Sequence, residues 1–306
     1  MVVGRFAPSP SGPMHLGNAR TALLAWLDAR SRGGRMLLRI EDLDTLRCTP
    51  ALADGVRRDL EWLGLDWDAE TSPQSTRGPA YDQALARLGD QGLLYQCFCS
   101  RRELAVVSAP HGEAGERRYP GTCWTLDPAA RERRRASGRQ PSLRVRMPDV
   151  PVRAVDRLHG PIVQNVAEAV GDIVVRRSDG LYAYQLAVVV DDAADGVTDV
   201  VRGDDLLGST PRQVALQSML GLPTPAYAHV PLVVGADGVR LAKRHGAPAV
   251  AALREAGVAA QRVVGWLAAS AGLDSGRALA RPHDLLAGFR LEDVPRRPAV
   301  AELPVG

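Results

Sequence analysis

Lysine is almost missing from this chain of 306 residues: one, Lys243, stands against 37 arginines. A side-chain ammonium is therefore available at a single position. Chemistry that needs a compact point charge on a flexible stem, which a planar guanidinium does not duplicate, has to be sought there. Long apolar runs are missing too. Stretches such as 186–190 fall far short of the roughly 18 residues that cross a bilayer, so no membrane-spanning segment is expected. The chain does not open on a basic stretch followed by an apolar segment, so no secretory signal is expected, and the cytoplasm is the expected compartment. The four cysteines are too few and too unevenly spread for a disulfide framework, yet three of them lie between positions 97 and 123, which suggests a metal. Hydrophobic residues make up 45% and charged residues 24%, which excludes collagen-like, coiled-coil and wholly disordered chains, and no internal repeat is visible.

The local patterns read as an α/β protein. Residues 2–6 predict a short strand that enters the Pro- and Ser-rich loop 7–13. Apolar residues at helical spacing predict a helix from 17 to about 30, and the run 36–40 predicts a buried parallel strand ending at Glu41-Asp42-Leu43-Asp44. In such a βαβ unit, functional groups collect at the carboxyl ends of the strands, where the loop and the acids both lie. Helices are expected at about 51–63, 80–91, 211–220 and 249–271, and strands at 173–176, 181–190 and 197–202. Between Tyr95 and Arg153, 12 arginines face 6 acidic residues, which marks an inserted subdomain. The expected divisions are a first catalytic half over 1–94, an insertion over 95–165, a second half over 166–235, and a loop with a short helical tail over 236–306.

His15 and Gly17 sit between a strand and a helix N-terminus, where the helix dipole favours an anion and a nucleotide phosphate fits. Negative charge developing on a phosphoryl group needs donors from several sides, and Lys243 would supply another. The cysteines occur as Cys97-Phe98-Cys99 and in Tyr119-Pro120-Gly121-Thr122-Cys123. Three thiolates suit tetrahedral zinc and lack one ligand, for which His111 in the same loop is the chemically preferred donor. Cys48 stands alone and reads as a packed thiol. Arg131, Arg133, Arg134 and Arg135 could track an RNA backbone or form a solvated helix face.

The stretch from Gly4 to Leu23 (Gly-Arg-Phe-Ala-Pro-Ser-Pro-Ser-Gly-Pro-Met-His-Leu-Gly-Asn-Ala-Arg-Thr-Ala-Leu), together with Arg39-Ile40-Glu41-Asp42-Leu43-Asp44, resembles the glutamyl branch of the class I aminoacyl-tRNA synthetases. His15–Asn18 is similar to that class's HIGH signature, with Asn18 for the last histidine. Residues 240–244 are similar to its KMSKS signature, with Arg240 and Ala242 replacing a lysine and the serine. The resemblance implies a Rossmann-like catalytic domain with an inserted zinc-binding subdomain and a short helical C-terminal region. It implies that His15 and Lys243 are catalytic, that these two with Gly17 and Asn18 bind ATP, and that ATP comes with Mg²⁺. It further implies that Arg5, Tyr184 and Arg202 hold the carboxylates of L-glutamate, while Glu41, Ser9 and the backbone of Ala7 accept from its α-ammonium.

The Cys-x-Cys and Tyr-x-x-x-Cys arrangement is similar to the zinc site of the short relatives known as glutamyl-queuosine tRNA(Asp) synthetases. That places Cys97, Cys99, Tyr119 and Cys123 around one structural Zn²⁺, with His111 as the competing fourth ligand. Only 63 residues follow Lys243, so no anticodon-binding domain is expected. The resemblance therefore implies a monomeric ligase that activates glutamate without tRNA and passes it to queuosine in the anticodon of tRNA(Asp). The alternatives are a truncated glutamyl-tRNA synthetase charging a tRNA 3′ end, a nucleotidyltransferase, and a non-catalytic RNA-binding protein on a synthetase scaffold.

Overall fold

The structure, a computed structural model, describes residues 1–100, 102–104, 118–235, 249–273 and 278–300. Strand β1 (Val3–Phe6) is followed by helix α1 (Leu16–Ser31) and strand β2 (Arg35–Leu38), which runs parallel to β1. α1 starts at Leu16 because His15 keeps an extended backbone while its ring nitrogen takes up the Asn18 N–H, one of the donors a helix start leaves without an internal partner. Next come α2 (Pro50–Leu63), β3 (Ala69–Glu70), α3 (Gly78–Asp90), β4 (Leu94–Cys97), α4 (Pro128–Ala136) and β5 (Ser142–Val145). They are followed by the hairpin β6 (Pro151–Asp156) and β7 (Gly160–Asn165), α5 (Val166–Ala169), β8 (Ile173–Arg176), α6 (Tyr184–Ala194) and β9 (Asp199–Gly203). The described chain closes with α7 (Thr210–Leu220), β10 (Ala226–Val230), β11 (Val233–Val234), α8 (Val250–Glu255), α9 (Ala260–Ser270) and β12 (Ala299–Val300).

The principal sheet has the order β3-β2-β1-β9-β10-β6-β7, parallel except for the β6–β7 hairpin at its edge. α1, α2, α8 and α9 pack on one face around Leu23, Trp26, Leu60, Val263 and Leu267, and α3, α6 and α7 on the other around Tyr81, Leu186, Val188 and Leu216. From β1 the chain crosses to β2 on one side, while β9 lies on the other and pairs with β1 at Gly4 and Asp199. The strand order reverses at this point, and the carboxyl ends of β1, β2, β9 and β10 part around a crevice. A second, antiparallel sheet, β4-β5-β8, carries the cysteine-bearing loops. No helix among the described residues is long and apolar enough to cross a membrane.

Two expectations differ from the structure. Residues 184–190, expected in a strand, lie in α6. The run Leu186 to Val189 is buried on every side, so its apolar pattern has no readable period, and its valines favour a strand on propensity alone. What fixes the helix is its acidic end: Asp191, Asp192 and Asp195 meet the buried Arg5 and Arg39 and the half-buried Arg77. The helix expected over 249–271 is two, α8 and α9, interrupted at 256–259.

Candidate active site

The crevice at the β1/β9 switch is a cavity of about 430 Å³. It is lined by Arg5, Ala7, Ser9, His15, Gly17, Asn18, Glu41, Tyr184 and Arg202, which are all the expected glutamate and ATP residues except Lys243. Lys243, with Arg240 and Ala242, lies outside the described residues, as does His111. The assembly follows from strand ends. Arg5 is on β1, and the loop after it is tied to the end of β2 by Arg39 N–H donating to Phe6 O at 3.0 Å and Glu41 N–H donating to Pro8 O at 2.9 Å. Tyr184 opens α6 and Arg202 is the penultimate residue of β9.

At the helix end of the cavity, His15 Nδ1 accepts from Asn18 N–H at 3.3 Å, which leaves Nε2 to carry the proton of the neutral ring. Gly17 is needed for this packing. A Cβ there would stand 3.1 Å from His15 Nδ1 and 3.2 Å from Cε1, so the glycine makes room for the imidazole to fold back on its own helix. The first turn of α1 and a ring N–H donor thus bound one cavity, an arrangement suited to a polyphosphate.

The opposite end is a buried ionic cluster. Arg39 is fully buried and donates to Asp192 at 2.6 Å, to Asp195 at 3.0 Å and to Glu41 at 3.2 Å, while Arg5 Nε reaches Asp192 at 3.2 Å. Burial opposes the charge on Arg39, but Asp192, Glu41 and Asp191 outweigh it and hold the guanidinium well above its ordinary pKa. Burial likewise pushes the Asp192 carboxyl up, and Arg5 and Arg39 more than reverse it, so Asp192 is held as a carboxylate. Glu41 goes the other way: desolvation raises its pKa despite Arg39 and Arg5. A ligand ammonium beside Glu41 would restore its charge. Arg39, Asp191 and Asp192 were not among the expected site residues. Arg39 reads from sequence as a surface charge, and only its three carboxylates, about 150 positions away or adjacent in the sheet end, reveal it as the cluster's centre.

A second cavity of about 820 Å³ adjoins the first, sharing Ser9, Ser11, Glu41 and Tyr184, and extends past Arg47, Cys48, Arg177 and Tyr182 to Cys99. Cys48 is a buried thiol, as expected. Beyond this cavity, the sulfurs of Cys97, Cys99 and Cys123 lie within 4.8 Å of one another, with Cys99 and Cys123 3.5 Å apart. Tetrahedral zinc with Zn–S bonds of about 2.3 Å places its sulfurs about 3.8 Å apart, so the spacing fits one ion. Tyr119 Oη stands 3.4 Å from Cys97 Sγ and accepts from Cys123 N–H at 3.0 Å. Gly171 makes this placement possible: a Cβ on it would come within 2.1 Å of Tyr119 O. The Arg144 guanidinium covers the Tyr119 ring, 3.7 Å from its centroid. Helix α4, bearing Arg131, Arg133, Arg134 and Arg135, contains no buried residue.

Residues 1–271 match the family of tRNA synthetases class I (E and Q), catalytic domain. The glutamyl-Q tRNA(Asp) synthetase of Symbiobacterium thermophilum is 52% identical over 308 residues, which covers 97% of this chain and 95% of that one. The glutamyl-Q tRNA(Asp) synthetase of Nocardia farcinica is 52% identical over 296 residues, covering 96% and 91%. Among solved structures, a glutamate tRNA ligase of Elizabethkingia meningosepticum in complex with its amino acid superposes with a TM-score of 0.82 at 26% identity, over 98% of this chain and 66% of that one.

Proposed function

This chain belongs to the class I tRNA synthetases (E and Q), has their Rossmann-like catalytic fold and groups with the glutamyl-Q tRNA(Asp) synthetases; on that footing we propose that it activates L-glutamate with ATP, without tRNA, and transfers it to queuosine in the anticodon of tRNA(Asp). One arrangement carries this: buried guanidinium groups, a buried carboxylate and a helix N-terminus face a single cavity sized for an amino acid beside a nucleotide.

In the proposed chemistry, Arg202, Arg5 and Tyr184 hold the two carboxylates of glutamate, arginine offering the planar fork that matches a carboxylate. Glu41, Ser9 and the Ala7 carbonyl accept from the α-ammonium. The α-carboxylate attacks the α-phosphorus of ATP, the bond to the bridging oxygen breaks, and pyrophosphate leaves. His15 Nε2–H, the Gly17 N–H, the Asn18 side chain and Lys243 offset phosphate charge as it develops. Mg²⁺ accompanies ATP and contributes further charge neutralisation. A hydroxyl of the modified nucleoside then attacks the acyl carbon and AMP departs. The adjoining cavity, open to the shared wall of Ser9, Glu41 and Tyr184, is the route by which that hydroxyl approaches. ATP–pyrophosphate exchange tests the first step: glutamate-dependent exchange is expected with no tRNA present, and exchange that requires tRNA would favour a truncated charging enzyme instead.

The raised Glu41 pKa gives this site a pH signature. Ammonium binding needs the carboxylate, and the ligand-free group takes up a proton at a higher pH than an ordinary glutamate. Glutamate affinity is therefore expected to be full at neutral pH and to decline on acidification before the ordinary carboxylate range is reached. A glutamate KM that stays flat down to that range would remove Glu41 from the ammonium site.

We further propose that Cys97, Cys99 and Cys123, with Tyr119 Oη as fourth donor, hold one structural zinc that ties β4 to the 119–123 loop. Metal analysis of the purified protein should find about one zinc per chain. The Cys123→Ser variant should lose the metal and unfold at a lower Tm, since metal affinity adds to folding stability. A metal-free wild-type protein with an unchanged Tm on chelation would contradict the site.

A further inference from the structure

Arg202 is buried, and its three guanidinium nitrogens have different fates. Nε donates to His229 Nε2 at 2.9 Å and Nη2 to Thr210 Oγ1 at 3.1 Å, while Nη1 is buried with no hydrogen-bond partner although the residue lines the cavity. A buried donor left without an acceptor costs free energy unless a ligand supplies one. The acceptor on its other flank is unusual. Arg202 and His229 are paired positions on the parallel strands β9 and β10, and Tyr227 and Asp156 pair on β10 and β6. His229 Nδ1 bonds Asp156 Oδ2 at 2.6 Å, both side chains being fully buried.

The protons follow from chemistry. Arginine cannot accept, so His229 Nε2 must, which places the ring proton on Nδ1, facing the carboxylate. Burial lowers the His229 pKa, the Asp156 bond opposing this and the Arg202 charge adding to it, so the ring is neutral as the geometry requires. Asp156 is itself anchored, its Oδ1 accepting from the N–H groups of Leu158 at 3.0 Å and His159 at 2.9 Å.

We infer that Asp156 and His229 are positioning residues that aim Arg202 Nη1 at the side-chain carboxylate of glutamate and so set the preference for an acid over its amide. The inference rests on the glutamate-activation reading. Asp156 sets the tautomer, keeping Nε2 of His229 free of a proton, so that Arg202 meets an acceptor rather than a second donor.

The Asp156→Asn variant tests this in the full-length protein. The backbone N–H groups of Leu158 and His159 claim the amide oxygen, so the amide NH₂ faces His229 Nδ1, drives the ring proton to Nε2, and sets it against Arg202 Nε–H. The glutamate KM in ATP–pyrophosphate exchange is expected to rise about tenfold or more, the value of a hydrogen bond to a charged group, with ATP KM and Tm unchanged. His229→Gln, whose oxygen can accept from Arg202 and whose NH₂ can donate to Asp156, should return the glutamate KM toward wild type, whereas His229→Leu should not. If His229→Leu does not fold, the contrast between Asp156→Asn and His229→Gln decides. An unchanged glutamate KM in Asp156→Asn, or glutamate and ATP KM values rising together, would overturn the positioning role alone. Wild-type protein without glutamate-dependent exchange would overturn the functional reading and this inference with it.

Discussion

Replacement of Lys243 by alanine is expected to slow glutamyl-adenylate formation by about 10²–10³-fold, the usual cost of losing one charge-stabilising donor, while glutamate affinity stays as it was. The expectation comes from the division of labour in the proposed site. Glutamate is held by the buried guanidinium groups and Glu41 at one end of the cavity, and phosphate charge develops at the other, near the α1 start. Lys243 is the chain's one lysine, so no other side-chain ammonium can replace it. Pre-steady-state measurement of adenylate, together with glutamate binding followed separately, would check this. Undiminished activation in the variant would exclude Lys243 from the reaction.

The Arg202→Ala variant is expected to lose glutamate binding rather than chemistry. Removing one partner from a buried ion pair costs about 3–5 kcal/mol, equivalent to a rise in glutamate KM of about 10²-fold to several thousand-fold. The loss should be selective. With the guanidinium gone, a substrate carboxylate entering the cavity keeps only Arg5 of the two cations near Tyr184, whereas the neutral amide of glutamine loses less. The ratio of activation efficiencies for glutamate and glutamine should therefore collapse. A variant with weakened but equally selective activation would move side-chain recognition away from Arg202. Measured in the Asp156→Asn background, the loss should be smaller than in the wild type, because positioning and contact act as a unit.

Much of this site was legible in the sequence because its residues sit at strand ends and in the loops beside them. Arg5 lies on β1 with Ala7 and Ser9 in the loop after it, Glu41 follows β2, and His15 to Asn18 open the helix between them, so local βαβ logic brings them to one end of the sheet, while their separate roles were what the resemblance implied. What was not legible depends on partners far away in the chain. Asp192 is 187 positions from Arg5, and Asp156 is 73 from His229. Neither pair leaves a local pattern. The same limit explains α6, whose apolar run gives no period when every face is buried, and the hairpin β6–β7, whose place on the principal sheet depends on a single register with β10. The break between α8 and α9 falls inside a stretch rich in alanine and valine that is compatible with one helix or two. At the cysteine cluster, the resemblance named Tyr119 against His111, and the folded chain brings Tyr119 Oη 3.4 Å from Cys97 Sγ.

On this mechanism the activated glutamate goes to a modified anticodon nucleoside. The most direct test is transfer of labelled glutamate to tRNA(Asp) with and without queuosine, followed by identification of the labelled nucleotide. Label is expected on the queuosine nucleotide, with none on the tRNA that lacks it. Label on the 3′-terminal adenosine, present whether or not queuosine is there, would contradict that mechanism.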